Sequence, residues 1–129
     1  MALTITSLYA GLIGLLFVLL SVLVITARFK TNVSIGDGGK ELLVRRIRVQ
    51  ANCAEYAPLG LILLALTEVQ GAPGWVVHVL GLMLLLGRLL HGAGFGRTPE
   101  IMPMRSAGMV LTFAMLILSA LANIGHALL

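Results

Sequence analysis

The chain has 129 residues, 59% of them hydrophobic and only 11% charged, with a mean hydropathy of +1.04. That composition excludes a soluble enzyme and leaves one integral membrane domain spanning residues 1–129. The net charge of +4 reflects few acids, and the basic residues cluster beside apolar runs, where they signal topology and not a nucleic-acid partner. Cys53 is the single cysteine, which rules out an intrachain disulfide and offers no metal motif. It reads as a small packing residue.

The first apolar run extends from about Leu3 to Ala27 and is closed by Arg28 and Lys30. It is long enough to cross a bilayer of about 30 Å. It has no basic leading segment and no small-residue cleavage site, so it reads as a retained helix. The loop from Phe29 to Lys40 contains Gly36-Asp37-Gly38-Gly39, a turn. A phosphate-cradling loop would need a preceding strand and a GK[ST] ending, which are missing.

A second helix is expected from about Glu41 to Thr67, with Pro58 placed to kink it. After a short loop, Glu68 to Pro73, a third runs from about Gly74 to His91. Trp75 lies near one interface, and Gly92, Gly94, Gly96 and Pro99 break the helix. A fourth starts near Pro103 and runs to the end. Arg28, Lys30, Lys40, Arg45 and Arg46 flank loop one, and Arg97 and Arg105 flank loop three. Loop two has no Lys or Arg. The positive-inside rule then places loops one and three in the cytoplasm and both termini outside.

The strongest chemical signal lies in the second helix. At about 100° per residue, Arg45, Arg48, Asn52 and Glu55 fall within about 80° of one another. Ionisable groups at membrane depth cost about 2.5–3.5 kcal/mol each on insertion scales, so they face a protein interior or a watery cavity. A bland alternative makes the arginines headgroup-reaching anchors and Asn52 and Glu55 interhelical glue. Arg88, His91 and Phe95 share one face of the third helix. Arg88 is the deepest cation and Glu55 the deepest acid, and a buried ion pair between them is expected. Arg105-Ser106 opens the fourth helix on the same side, where free backbone N–H groups help hold an anion. His78 and His126 stand isolated and read as non-catalytic.

These residues carry a resemblance to the MAPEG family, the membrane-associated proteins of eicosanoid and glutathione metabolism, and more closely to its short bacterial inner-membrane branch. The carriers are Gly36-Asp37-Gly38-Gly39, then Arg48 to Asn52 with Glu55 and Pro58, then Gly87-Arg88, His91 and Gly94-Phe95, and finally Arg105-Ser106. The resemblance spans nearly the whole chain. It implies an all-α four-helix bundle, assembled as a homotrimer in lipid, with glutathione as co-substrate bound between subunits near the cytoplasmic face. It assigns Arg48, Asn52, Glu55, Arg88, His91 and Phe95 to the glutathione site. Glu55 would meet the amino group and the arginines the carboxylates, which suits guanidinium fork geometry. Arg105 and Ser106 match the positions nearest the sulfur.

The thiolate is the reactive form of a thiol, and a cation beside the sulfur favours it. The resemblance thus implies a glutathione-dependent transferase or peroxidase acting on a small lipophilic electrophile that arrives through the bilayer. Two departures stand out. Phe95 occupies a position where many transferases of the family carry a tyrosine, so the phenolic donor is gone. Gln50-Ala51 stands where the prostaglandin-synthesising branch has His-Arg. The alternative is a non-enzymatic member that binds lipid or another anion.

Overall fold

The computed structural model describes residues 2–129 and consists of four helices: α1 (Thr4–Thr31), α2 (Glu41–Val69), α3 (Gly74–Phe95) and α4 (Met102–Leu128). At about 1.5 Å per residue each is longer than the roughly 30 Å of bilayer hydrocarbon. All four are long and apolar enough to span it. The expected spans are recovered, with shifts at three ends, the second helix running past Thr67 to Val69 and so taking in Glu68. The first helix continues through Phe29 to Thr31, and the third runs past Gly92 and Gly94 to Phe95. Glycine weakens a helix interior by about 1 kcal/mol without forbidding it, and here α4 packs directly on this stretch. Helix α2 continues through Pro58.

Helix α1 packs on α2 and α3, α4 packs on α2 and α3, and α1 and α4 do not touch among the described residues. The core between them is apolar and includes Tyr9, Ile13, Leu20, Cys53, Leu64, Leu84 and Met115. Leu15, Val18, Ile62, Val110 and Leu121 are exposed on the outside, as expected where lipid tails take the place of water. With little hydrophobic drive between helices in lipid, close packing through small residues holds such a bundle together. A Cβ on Gly87 would stand 2.9 Å from the Gly108 carbonyl oxygen, and one on Gly94 would stand 2.9 Å from that of Ile101. These contacts bring the C-terminal half of α3 against the start of α4 backbone to backbone.

The two ends are tied differently. At the end holding the α2–α3 loop, both carboxylate oxygens of Glu68 accept backbone N–H bonds from the open first turn of α1. Oε1 is 2.9 Å from the Ile5 nitrogen and Oε2 2.7 Å from that of Thr6. One side chain thereby serves as the missing N-cap of another helix. At the opposite end, Asn32 terminates α1 in the left-handed region. The Gly36–Gly39 turn follows, with Gly36, Gly38 and Gly39 all at positive φ, and Asp37 Oδ1 accepts the Gly39 N–H at 2.9 Å.

Candidate functional site

The polar residues of α2 and α3 converge, but not through the expected pair. Arg88 is 2% exposed and has no carboxylate within ion-pairing distance among the described residues. Its guanidinium donates to Asn52 Oδ1 and to the Asn52 carbonyl oxygen at 3.4 Å. Its Nε and Nη2 both reach Thr112 Oγ1, at 3.2 and 2.9 Å, and Nη2 lies 3.3 Å from the Met109 sulfur. The Tyr56 ring covers it at 5.5 Å.

Glu55 lies elsewhere. It faces outward and sits 3.6 Å from Arg48 Nη1, each side chain about half exposed (52% and 51%). The expected Arg88–Glu55 pair is therefore corrected. Asn52 lies three residues earlier on the same stripe and is the group that meets the buried cation, while Glu55 finds its counter-charge two turns back on its own helix. An amide satisfies a guanidinium's donors without a second buried charge, at a smaller desolvation cost.

Thr112 was invisible to sequence reasoning. It is fully buried, and its hydroxyl donates to the Gly108 carbonyl at 2.8 Å while accepting from Arg88. A lone threonine in an apolar helix carries no recognisable signal, since such hydroxyls bond back to their own helix as a rule. Its i−4 partner Gly108 was the available hint. Because a guanidinium only donates, Asn52 must turn its oxygen toward Arg88. Its two amide N–H groups then have no hydrogen-bond partner among the described residues.

His91 follows Arg88 by one turn, is 4% exposed, and places its ring 5.7 Å from that of Phe95. Both sit on the inward side of α3, as the shared face predicted. Phe95 in turn carries two guanidiniums. That of Arg105 lies over the ring at 4.0 Å and that of Arg45 at 5.7 Å. Arg45 is no free headgroup anchor. It binds Glu41 at 3.0 Å, reaches Glu100 at 3.6 Å and donates to the Phe95 carbonyl at 3.4 Å. Glu100 also meets Arg105 at 2.8 Å. It escaped sequence reasoning because it lies in a loop outside the helical stripes.

Arg105-Ser106 does not offer free helix-opening amides. Helix α4 begins at Met102, and the Arg105 N–H already bonds to the Ile101 carbonyl at 3.1 Å. Anion binding there falls to the side chains alone. Ser106 is exposed on the outer surface of α4. Among the other residues considered, Cys53 is buried in the core. His78 is not isolated, since its Nδ1 lies 3.1 Å from the Tyr9 hydroxyl.

The arrangement thus has an inner layer and an outer one. The inner layer, Arg88 with Asn52, Thr112 and Tyr56, is closed. The outer one presents Arg48, Glu55 and the Asn52 amide on α2, and Arg45, Arg105 and Phe95 near the loop end. It offers both charge signs and a neutral donor, a set suited to a small zwitterionic ligand with carboxylates.

Comparison with known proteins shows the family of the chain. The sequence profile described as "MAPEG family" matches residues 6–125. The chain is 38% identical over 122 residues to "Inner membrane protein YecN" of Escherichia coli strain K12, covering 95% of this chain and 92% of that protein. The same figures hold for the protein of that name in Escherichia coli O6:H1.

Proposed function

The chain belongs to the MAPEG family, and we propose that within it the protein is a glutathione-dependent membrane transferase or peroxidase for lipophilic electrophiles. The observation that carries this reading is the outer polar layer of α2. There a half-exposed Arg48–Glu55 pair flanks an Asn52 amide whose N–H groups are turned away from the buried Arg88. Such a layer has no reason to face lipid. It fits glutathione chemically, with Glu55 for the ammonium, Arg48 for a carboxylate and the Asn52 amide for a carbonyl or carboxylate oxygen. Arg88 is too deeply enclosed to touch a ligand and acts by holding Asn52. His91 likewise supports Phe95 from behind. Arg105 is the cation proposed to stabilise the thiolate, with exposed Ser106 as a hydroxyl donor beside it.

The layer sits on an outward face of α2, so a second copy of the chain is proposed to cover it, in the homotrimer that the resemblance implies. The name of the Escherichia coli relatives supports an inner-membrane location, and the basic residues of loops one and three support the proposal that those loops lie in the cytoplasm. Calorimetric titration of the detergent-purified protein with glutathione tests the binding step, and turnover of an aryl halide tests transfer. Absence of glutathione binding removes the reading.

One observation favours the second reading, a non-enzymatic anion- or lipid-binding member. Phe95 is clasped by two arginines and brings no hydroxyl to the place where many family members have one. Glutathione binding without turnover of any electrophile would select it.

A further inference from the structure

We infer that Arg45 and Arg105, both packed against the Phe95 ring, form a carboxylate-binding site, and that Glu100 is its tethered occupant, displaced by the carboxylate of a ligand. Two guanidiniums from different helices converge on a single side-chain oxygen. Glu100 Oε2 lies 2.8 Å from Arg105 Nη1 and 3.6 Å from Arg45 Nη1. Both cations are held before any ligand arrives. The Phe95 ring centroid lies 4.0 Å from the Arg105 guanidinium carbon and 5.7 Å from that of Arg45, and Arg45 is further fixed by Glu41 at 3.0 Å and by the Phe95 carbonyl at 3.4 Å. A cation–π contact holds a guanidinium in place without consuming its N–H donors, which remain able to meet a carboxylate.

The occupant is held far less firmly than its hosts. Arg45 and Arg105 rise from α2 and α4, whereas Glu100 belongs to the connection between α3 and α4, in which Arg97, Thr98 and Pro99 are exposed. No other side-chain hydrogen bond or ion pair holds Glu100 among the described residues. Partly exposed ion pairs are weak, so displacing one reduces a ligand's apparent affinity by no more than about fivefold. A ligand carboxylate that binds both arginines and gains contacts elsewhere overcomes that competition. The site therefore takes carboxylates in general. It rests on the transferase reading only in naming glutathione as one carrier of that group.

The test compares the full-length parent in detergent with Glu100→Gln, Glu100→Asp and Arg45→Met. Four probes are titrated: glutathione and its diethyl ester, and 4-phenylbutyrate and its neutral counterpart 4-phenylbutanol. Glu100→Gln should bind 4-phenylbutyrate about three- to fivefold more tightly than the parent. Glu100→Asp, whose carboxylate is withdrawn by one methylene, should show a smaller gain and covers the case in which Glu100→Gln does not fold. Arg45→Met should lose the affinity, and neither the ester nor the alcohol should respond to any substitution. Glutathione should follow 4-phenylbutyrate if it is the natural carrier. A gain for 4-phenylbutyrate with no glutathione binding by any variant keeps the site and removes glutathione as its ligand. Unchanged or weaker 4-phenylbutyrate binding in the Glu100 variants overturns the proposal, as does failure of every variant to bind it.

Discussion

Arg88 shows how a membrane protein keeps a full charge in its interior without an acid. Its donors are met by an amide oxygen, a backbone carbonyl, a hydroxyl and a thioether, and an aromatic ring covers it. Glu55→Ala is therefore expected to cost little stability, because the Arg48–Glu55 pair is half exposed. Asn52→Ala and Thr112→Val each strip acceptors from a buried cation and should each cost about 2–3 kcal/mol. Unfolding midpoints in mixed micelles rank the three. Equal losses from Glu55→Ala and Asn52→Ala would refute this account of the buried cation. In a double-mutant cycle, Asn52 and Arg88 should couple strongly and Glu55 and Arg88 should not. The stripe that located Asn52 and Glu55 was legible because helical periodicity alone fixes it. Which of the two meets Arg88 was not legible, since that depends on how α3 is rotated against α2.

At the level of the element, glycines set the α3–α4 contact, and a carboxylate of α2 caps the start of α1. A Cβ on Gly87 would lie 2.7 Å from Thr112 Oγ1 and 2.9 Å from the Gly108 carbonyl, which is backbone and cannot swing aside. Gly87→Ala should thus push the helices apart, cost about 1–3 kcal/mol, and disturb the Arg88 site through Thr112. Gly11→Ala is the control, because nothing lies within 4 Å of its Cβ position. Propensity alone would make both substitutions mildly stabilising, so comparable destabilisation by both would refute close packing at Gly87 as the cause. Glu68→Ala removes two capping bonds from α1 and is expected to cost about 0.5–2 kcal/mol. Hydrogen exchange at the Ile5 and Thr6 amides would report the opening. The helices themselves were plain in the sequence, because uninterrupted apolar length is an unambiguous signal. The ends were less so. Gly92 and Gly94 read as breakers in isolation but lie inside α3, where Gly94 admits the first turn of α4.

For the whole molecule, the unsolved surface is the outward face of α2. Arg48 and Glu55 are each about half exposed there, and Glu55 is midway along a 29-residue helix. In a lone chain that pair would lie against acyl tails at a cost that insertion scales put at about 2.5–3.5 kcal/mol for a single charge. Among the described residues, the packing of α1 and α4 on α2 leaves both side chains of the pair about half exposed. Association with further copies is the available remedy, and the resemblance to the family sets the expected number at three. Native mass spectrometry from detergent should then give a trimer. If the proposed site holds glutathione, Arg48→Leu with Glu55→Leu should keep each chain helical and membrane-inserted while abolishing glutathione binding, because in that proposal the pair serves the ligand and not the fold. A monomer in mild detergent and in lipid nanodiscs, with Glu55 open to a lipid-phase carbodiimide, would overturn the assembly. Loss of the fold in the double leucine variant would instead make the pair structural and leave the outer layer of α2 without a ligand to explain it.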